Sequence, residues 1–210
     1  MARIYGNQAR LFKEVYKNVM QRLGYVFFEK GAYNLNIIGV RSSERVSNKF
    51  NDNLVVIYKR SNGDWVADNY RITTDPGLYW LENPTNVNGT AILVPDQYRG
   101  VYKIDGHGKS KYEALCQRLG KVRVYRDSNR DEVHDMDSST IMEGYYGINI
   151  HRASKVRDIS ENVDKWSAGC QVFRSSVDFN EFMSIVNTSA ERYGNSFTYT
   201  LLNEEDLEIQ

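Results

Sequence analysis

From Tyr33 onward, short runs of β-branched and aromatic residues follow one another, each closed by residues that favour turns. The runs are Tyr33 to Val40, Leu54 to Lys59, Trp65 to Thr73, Thr90 to Val94, Val101 to Ile104, Lys121 to Tyr125 and Phe197 to Leu201. Runs this short, with β-branched and aromatic enrichment, make strands rather than helices. Asn62-Gly63-Asp64 reads as a hairpin turn and Asn88-Gly89 as a second tight turn. The expected class is α+β, mainly β: a β-sandwich or partly closed barrel.

Two segments carry helical periodicity instead. Phe12, Val15, Tyr16, Val19, Met20 and Leu23 recur at three-and-four spacing, with Gly24 after them, which predicts an amphipathic helix over about 6–23. Phe179, Phe182, Met183 and Val186 do the same within about 178–192, with Asp178 and Glu181 as a capping pair and Gly194 at the end. At 210 residues the chain suits one well-buried domain. The division expected is an N-terminal helix in 1–24, a single domain over 25–202 and an acidic tail, 203–210.

Composition limits the partners. Lysine plus arginine and aspartate plus glutamate number 27 each. The chain therefore has no net positive field to hold nucleic acid or an anionic membrane, and neither is an expected partner. No apolar run approaches the roughly 20 residues that span a bilayer, and Met1 to Val15 lacks the pattern of a secretion signal. Cys116, in the helix-like segment Tyr112 to Gln117, reads as a thiol that fills apolar space.

Chemistry concentrates in the C-terminal third, at Gly147-Ile148-Asn149-Ile150-His151 and Ser167-Ala168-Gly169-Cys170. On a strand, Ile148 and Ile150 face a core while Asn149 and His151 face the other way, aimed at a groove. Gly169 permits close backbone approach to a substrate, and amides beside the sulfur can receive charge developing on a carbonyl oxygen. A free thiol has a pKa of about 8.5, so an imidazole that takes its proton turns a weak nucleophile into a strong one. Cys170 and His151 are the candidate nucleophile and base.

With His151, the fifteen residues from Arg152 to Trp166, and then Ser167-Ala168-Gly169-Cys170, the chain resembles the L,D-transpeptidase family. That family's pattern is a histidine, a spacer of about that length, then Ser or Thr, His, Gly, Cys. Thr90 to Tyr98 and Tyr145-Tyr146-Gly147 extend the likeness more weakly. The resemblance implies a catalytic domain of that type, with Cys170 acylated by a peptidoglycan stem peptide and His151 as base. It also implies that the Arg152 carbonyl orients the imidazole, and that Ser167 and the Gly169 and Cys170 amides shape the oxyanion site. Asn149, Gln171, Tyr146 and His107 would meet substrate. Neither a metal nor an organic cofactor is implied.

Two departures shift the expected outcome. Ala168 replaces the family's second histidine, and Gln171-Val172 replaces an apolar residue followed by Arg or Asn. Hydrolysis of the acyl-enzyme thus competes with cross-linking. Without a signal segment, the expected setting is a cell wall or periplasm reached by lysis or on a virion. The alternative is a non-catalytic wall-binding or virion protein on the same fold. Asp127, Asn129 and Asp131 imitate a calcium loop, but Glu132 and Ser138 occupy its sixth and twelfth positions, so they read as a polar hairpin loop. His134 reads as a loop histidine.

Overall fold

A computed structural model of the chain describes residues 2–208. Its elements, in order, are β1 (Ala2–Tyr5), α1 (Gly6–Arg22), β2 (Asn36–Arg41), β3 (Asp52–Lys59), β4 (Trp65–Thr73), α2 (Leu78–Glu82) and β5 (Thr90–Leu93). There follow β6 (Asp96–His107), β7 (Tyr112–Gln117), β8 (Val122–Asp127), β9 (Met142–Gly144), β10 (Ile150–Arg152), β11 (Gln171–Phe173), α3 (Ser176–Tyr193) and β12 (Phe197–Asn203).

The strands close on themselves. The pairing order β4-β11-β10-β7-β6-β12-β2-β3 returns to β4, which gives an eight-stranded barrel with β1 added on β4. The fold is α+β and mainly β, and of the two architectures open at the sequence level it takes the barrel, fully closed. Two pairings are parallel, β10 with β11 and β12 with β2. A separate three-stranded sheet runs β5-β8-β9.

Alternation along the strands explains how the barrel is filled and how it is covered. Ile37 of β2, Leu54 and Val56 of β3, and Val66, Tyr70 and Ile72 of β4 belong to one apolar body with Tyr102, Phe173 and Tyr199. Their neighbours in sequence, Ile38, Val55, Ile57 and Ala67, face the other way and pack with Ala9, Tyr16, Val19 and Met20 of α1. Phe179, Phe182, Met183 and Val186 of α3 join the first body, where Phe182 lies 5.1 Å from Phe173, centroid to centroid.

Several local expectations need correction. The segment 112–117 is not helical: it is β7, paired residue for residue with the far half of β6. Helix α3 begins at Ser176, and its N-cap is Ser175, whose hydroxyl accepts from the Asp178 amide at 3.2 Å. Glu181 is no capping partner; it pairs with Arg3 of β1 at 2.7 Å. On α1, Val15 and Leu23 are exposed while Ala9 and Lys13 are buried, because β4 and β1 meet the helix off the centre of the apolar stripe. The expected strand 101–104 is the middle of the longer β6, since β12 and β7 flank it and take up its backbone groups. Within the acidic tail, Glu204–Leu207 forms a 3-10 turn with a capping box at Asn203, and Leu207 packs into the cluster under α1, while 209–210 lie outside the described residues.

Candidate functional site

The parallel pairing of β10 and β11 sets the geometry. Ile150 lies opposite Gln171 and His151 opposite Val172, with the Gln171 amide bonded to the Asn149 carbonyl at 2.9 Å. In a parallel pair, facing residues point to the same side of the sheet. Asn149, His151, Cys170 and Val172 therefore share the outer face, and Ile150, Gln171 and Phe173 the barrel interior.

That outer face is covered. His151 is 5% exposed and Asn149 6%, so the imidazole is enclosed rather than aimed into an open groove. The far end of the β6–β7 hairpin lies over it, because β7 is the neighbour of β10 in the barrel. The His107 ring stacks on the His151 ring with centroids 4.1 Å apart and 22° between planes, and Tyr112 meets His107 edge-on. Arg152 lays its guanidinium 4.1 Å over the Tyr112 ring.

The hydrogen bonds fix both imidazole tautomers. His151 Nδ1 is 2.8 Å from the carbonyl oxygen of Arg152, which can only accept, so Nδ1 carries the proton and Nε2 keeps a lone pair. Asn149 Oδ1 accepts from the Gln117 amide at 2.9 Å, so its Nδ2 donates to His107 Nδ1 at 3.1 Å. His107 therefore carries its proton on Nε2. Burial, helped by the neighbouring His107, pushes the His151 pKa down to about 3, and burial lowers that of His107 as well. Both rings are neutral at pH 7.

Cys170 is partly exposed, and its Sγ accepts from the Asn149 amide at 3.4 Å and donates to the Gly147 carbonyl at 3.3 Å. No hydrogen bond joins it to His151 among the described residues. Burial pushes the thiol up to about 11, and the Asn149 amide offsets only part of that. In this resting arrangement the pair is a neutral thiol and a neutral imidazole.

The turn before Cys170 is tied by its own hydrogen bonds. Ser167 is fully buried; its hydroxyl donates to the Cys170 carbonyl at 2.8 Å and accepts from the Gly169 amide at 3.2 Å. The Gly169 amide is thus occupied, whereas the backbone amides of Ser167, Ala168 and Cys170 have no acceptor within the described chain. Gly169 has φ +113°, and a Cβ there would stand 2.2 Å from the Ala91 carbonyl oxygen, so only glycine fits.

Gln171 does not reach the outer face. It is completely buried inside the barrel, its Oε1 accepting from the Tyr199 hydroxyl at 2.7 Å and its Nε2 donating to the Thr74 carbonyl at 3.3 Å. Asn149 commits both ends of its amide to Gln117 and His107, which makes it a brace between strands rather than a free substrate contact. His107 meets His151 directly, and Tyr146 stands at the rim, its ring 4.5 Å from the Arg126 guanidinium carbon. His134 is buried, with its Nε2 2.9 Å from the Pro76 carbonyl oxygen, because the 128–137 loop folds back on the chain after β4. Asn129 bonds Asp131 and Asp135, which knits the polar loop together.

One residue that organises the site escaped the sequence reading. Gln117, 2% exposed, donates through Nε2 to the Gly120 and Gly144 carbonyls and accepts through Oε1 from the Tyr146 and Ile148 amides. Four bonds from one side chain hold the loop that presents the Gly147 carbonyl to the thiol. The only sequence signal was a polar residue ending an apolar run, which is common at strand ends.

Beside the turn lies a cavity of about 300 Å³ reached by Trp80, Thr90, Arg126, Tyr145, Tyr146 and Ala168. No group of His, Cys, Asp or Glu among the described residues is arranged to hold a metal ion, and no helix among them is long and apolar enough to cross a membrane. No protein-family model matches the chain, and no curated protein or solved structure matches it either.

Proposed function

We propose that the chain is a cysteine acyltransferase or peptidase of L,D-transpeptidase type acting on peptidoglycan stem peptides. The observation that carries this reading is the β10–β11 pairing. It puts Cys170 and His151 on one face, with the imidazole locked in the tautomer that leaves Nε2 able to take a proton.

Both groups are neutral at rest, so proton transfer accompanies attack instead of preceding it. Cys170 Sγ turns from the Gly147 carbonyl and attacks the carbonyl carbon of the stem's diamino acid, the one bonded to the nitrogen of the D-alanine that leaves. Its proton passes to His151 Nε2, and the oxyanion meets the free Cys170 amide. The imidazolium then protonates the nitrogen of the departing D-alanine, the C–N bond breaks, and a thioester remains on Cys170. Water, or the amine of a second stem, resolves it. The Arg152 carbonyl, facing Nδ1–H, stabilises the imidazolium while it lasts.

A second reading, a wall-binding protein without catalysis, is favoured by one observation: the thiol is engaged by Gly147 and Asn149 and not by His151. Mass spectrometry of the protein and its Cys170→Ser variant with disaccharide-tetrapeptides separates the two. An acyl adduct on Cys170 with release of D-alanine supports the enzyme, and cross-linked dimer identifies transpeptidation. Equal inertness of both proteins across several stem peptides, with sacculi still bound, leaves the binding protein.

A further inference from the structure

A cavity of about 320 Å³ lies between β1, the β3–β4 turn and α3, and none of the residues placed beside Cys170 and His151 lines it. Tyrosine rings form its walls: Tyr5 is 48% exposed, and Tyr33 stands 5.2 Å from Tyr58, centroid to centroid. The hydroxyls of Tyr5, Tyr33 and Ser184 bond no group among the described residues, so all three are free to meet a ligand. Helix α3 joins the cavity to the covered imidazole, since its Phe179 meets Tyr112 edge-on at 6.0 Å while its Glu181 and Ser184 line the cavity.

Both cations of the cavity already have carboxylates. Arg3 binds Asp68 through Nε and Nη2 and reaches Glu181 at 2.7 Å, and Arg60 lies over the Tyr5 ring with Nη2 3.4 Å from Asp64. An anion would have to displace those carboxylates and then face Glu181, which disfavours it. An apolar ligand would cover charged and hydroxyl groups without bonding them, which is costly. A sugar meets both demands: its C–H face packs on an aromatic ring, and its hydroxyls, each a donor and an acceptor, suit guanidinium, carboxylate and hydroxyl partners together. The volume is at the low end for ligand sites and suits about one or two sugar rings.

We propose that this cavity is a saccharide-binding site, separate from Cys170, and that its ligand is the glycan strand of peptidoglycan. The saccharide class follows from the cavity's own residues, and the choice of glycan rests on the peptidoglycan reading above.

The test titrates the protein with a β-1,4-linked N-acetylglucosamine trimer, which carries no stem peptide and no bond for Cys170 to attack, and follows backbone amide NMR shifts. The amides of Tyr5, Tyr33 and Ser184 should shift saturably, and equally in Cys170→Ala. Tyr5→Ala should weaken binding about 10-fold. Ser184→Trp, at an exposed helix position, should fill the cavity and abolish binding. Glycan strands stripped of their stem peptides should compete with the trimer. Absence of saturable shifts overturns the proposal, as do shifts confined to the surroundings of Cys170, or undiminished binding in Ser184→Trp. Failure of the stripped strands to compete overturns the glycan as ligand. Should a variant fail to fold, the wild-type shift map and the competition decide. Saccharide binding in a protein whose Cys170 never acylates upholds this site and refutes only the acyl-transfer reading, and acylation with no saccharide bound does the reverse.

Discussion

The imidazoles of His107 and His151 lie face to face, 4.1 Å between centroids, with both tautomers set by groups of one segment, the Asn149 side chain and the Arg152 carbonyl. Two stacked rings at this distance cannot both be cationic without strong repulsion, so the pair takes up protons reluctantly. The folded protein holds His151 neutral down to about pH 3, while the unfolded chain protonates it near 6.5.

That difference has a defined sign. Between those two pH values the unfolded state binds more protons than the folded one, so stability falls as the pH drops from about 6.5 toward 3 and is fully present above 6.5. The His151 contribution is a few kcal/mol, to order of magnitude, and His107 adds to it in the same direction. Urea midpoints at pH 7 and pH 4 should differ clearly less in His151→Asn than in the wild type. An equal pH dependence in the two proteins rules out His151 as its source.

The thiol makes a second prediction. With its pKa pushed up to about 11, Cys170 is thiolate in only about 10⁻⁴ to 10⁻³ of molecules near pH 7.5. Alkylation by iodoacetamide should be slow there and rise about tenfold per pH unit up to near pH 11. Cys116 is completely buried and its thiol is also raised, so mass mapping should find the label on Cys170 first. Rapid alkylation at neutral pH with a flat profile would mean a thiolate–imidazolium pair, which this arrangement does not contain.

Two glycines of the site should respond differently to alanine. At Gly169 a Cβ meets the Ala91 carbonyl oxygen at 2.2 Å, and both partners are backbone. Gly169→Ala should destabilise by about 3 kcal/mol or more and displace the turn that carries the thiol. Gly147 also has positive φ, +69°, but a Cβ there meets nothing within 4 Å. Gly147→Ala should cost only the left-handed backbone penalty, about 1–2 kcal/mol. Melting temperatures of the two variants measure the contrast, and equal losses would mean that crowding at Ala91 is relieved.

Gln117 supplies the fourth. Gln117→Leu leaves two partly buried carbonyls, one partly buried amide and the buried Ile148 amide unpaired, which should destabilise by about 2–4 kcal/mol. Gln117→Glu should be no better, since a carboxylate would face the Gly120 and Gly144 carbonyls where the amide now donates. Denaturant titrations give the stability. Faster alkylation of Cys170 in Gln117→Leu would report loosening of the loop behind Gly147, and unchanged alkylation would separate that loop from the thiol.

The sequence by itself determined the elements whose signals are local. The apolar stripe and Gly24 placed α1, Asn62-Gly63 placed the β3–β4 turn, and the alternation of Ile148 and Ile150 put Asn149 and His151 on the opposite face. The spacing of His151 and Ser167 to Cys170 singled out two segments that the barrel brings side by side as parallel strands. Tertiary structure decided the rest. Segment 112–117 carries helix-like residues, and only pairing with β6 makes it a strand, because ladder bonds and burial outweigh a small local propensity. The His107 and Tyr112 cover over His151, three of the four bonds of Gln117 and the contacts of Arg126 with Gly89 and Tyr146 all join residues far apart in the chain. Barrel closure sets those contacts. A side chain's charge and tautomer follow from the groups that enclose it, and enclosure is a property of three dimensions.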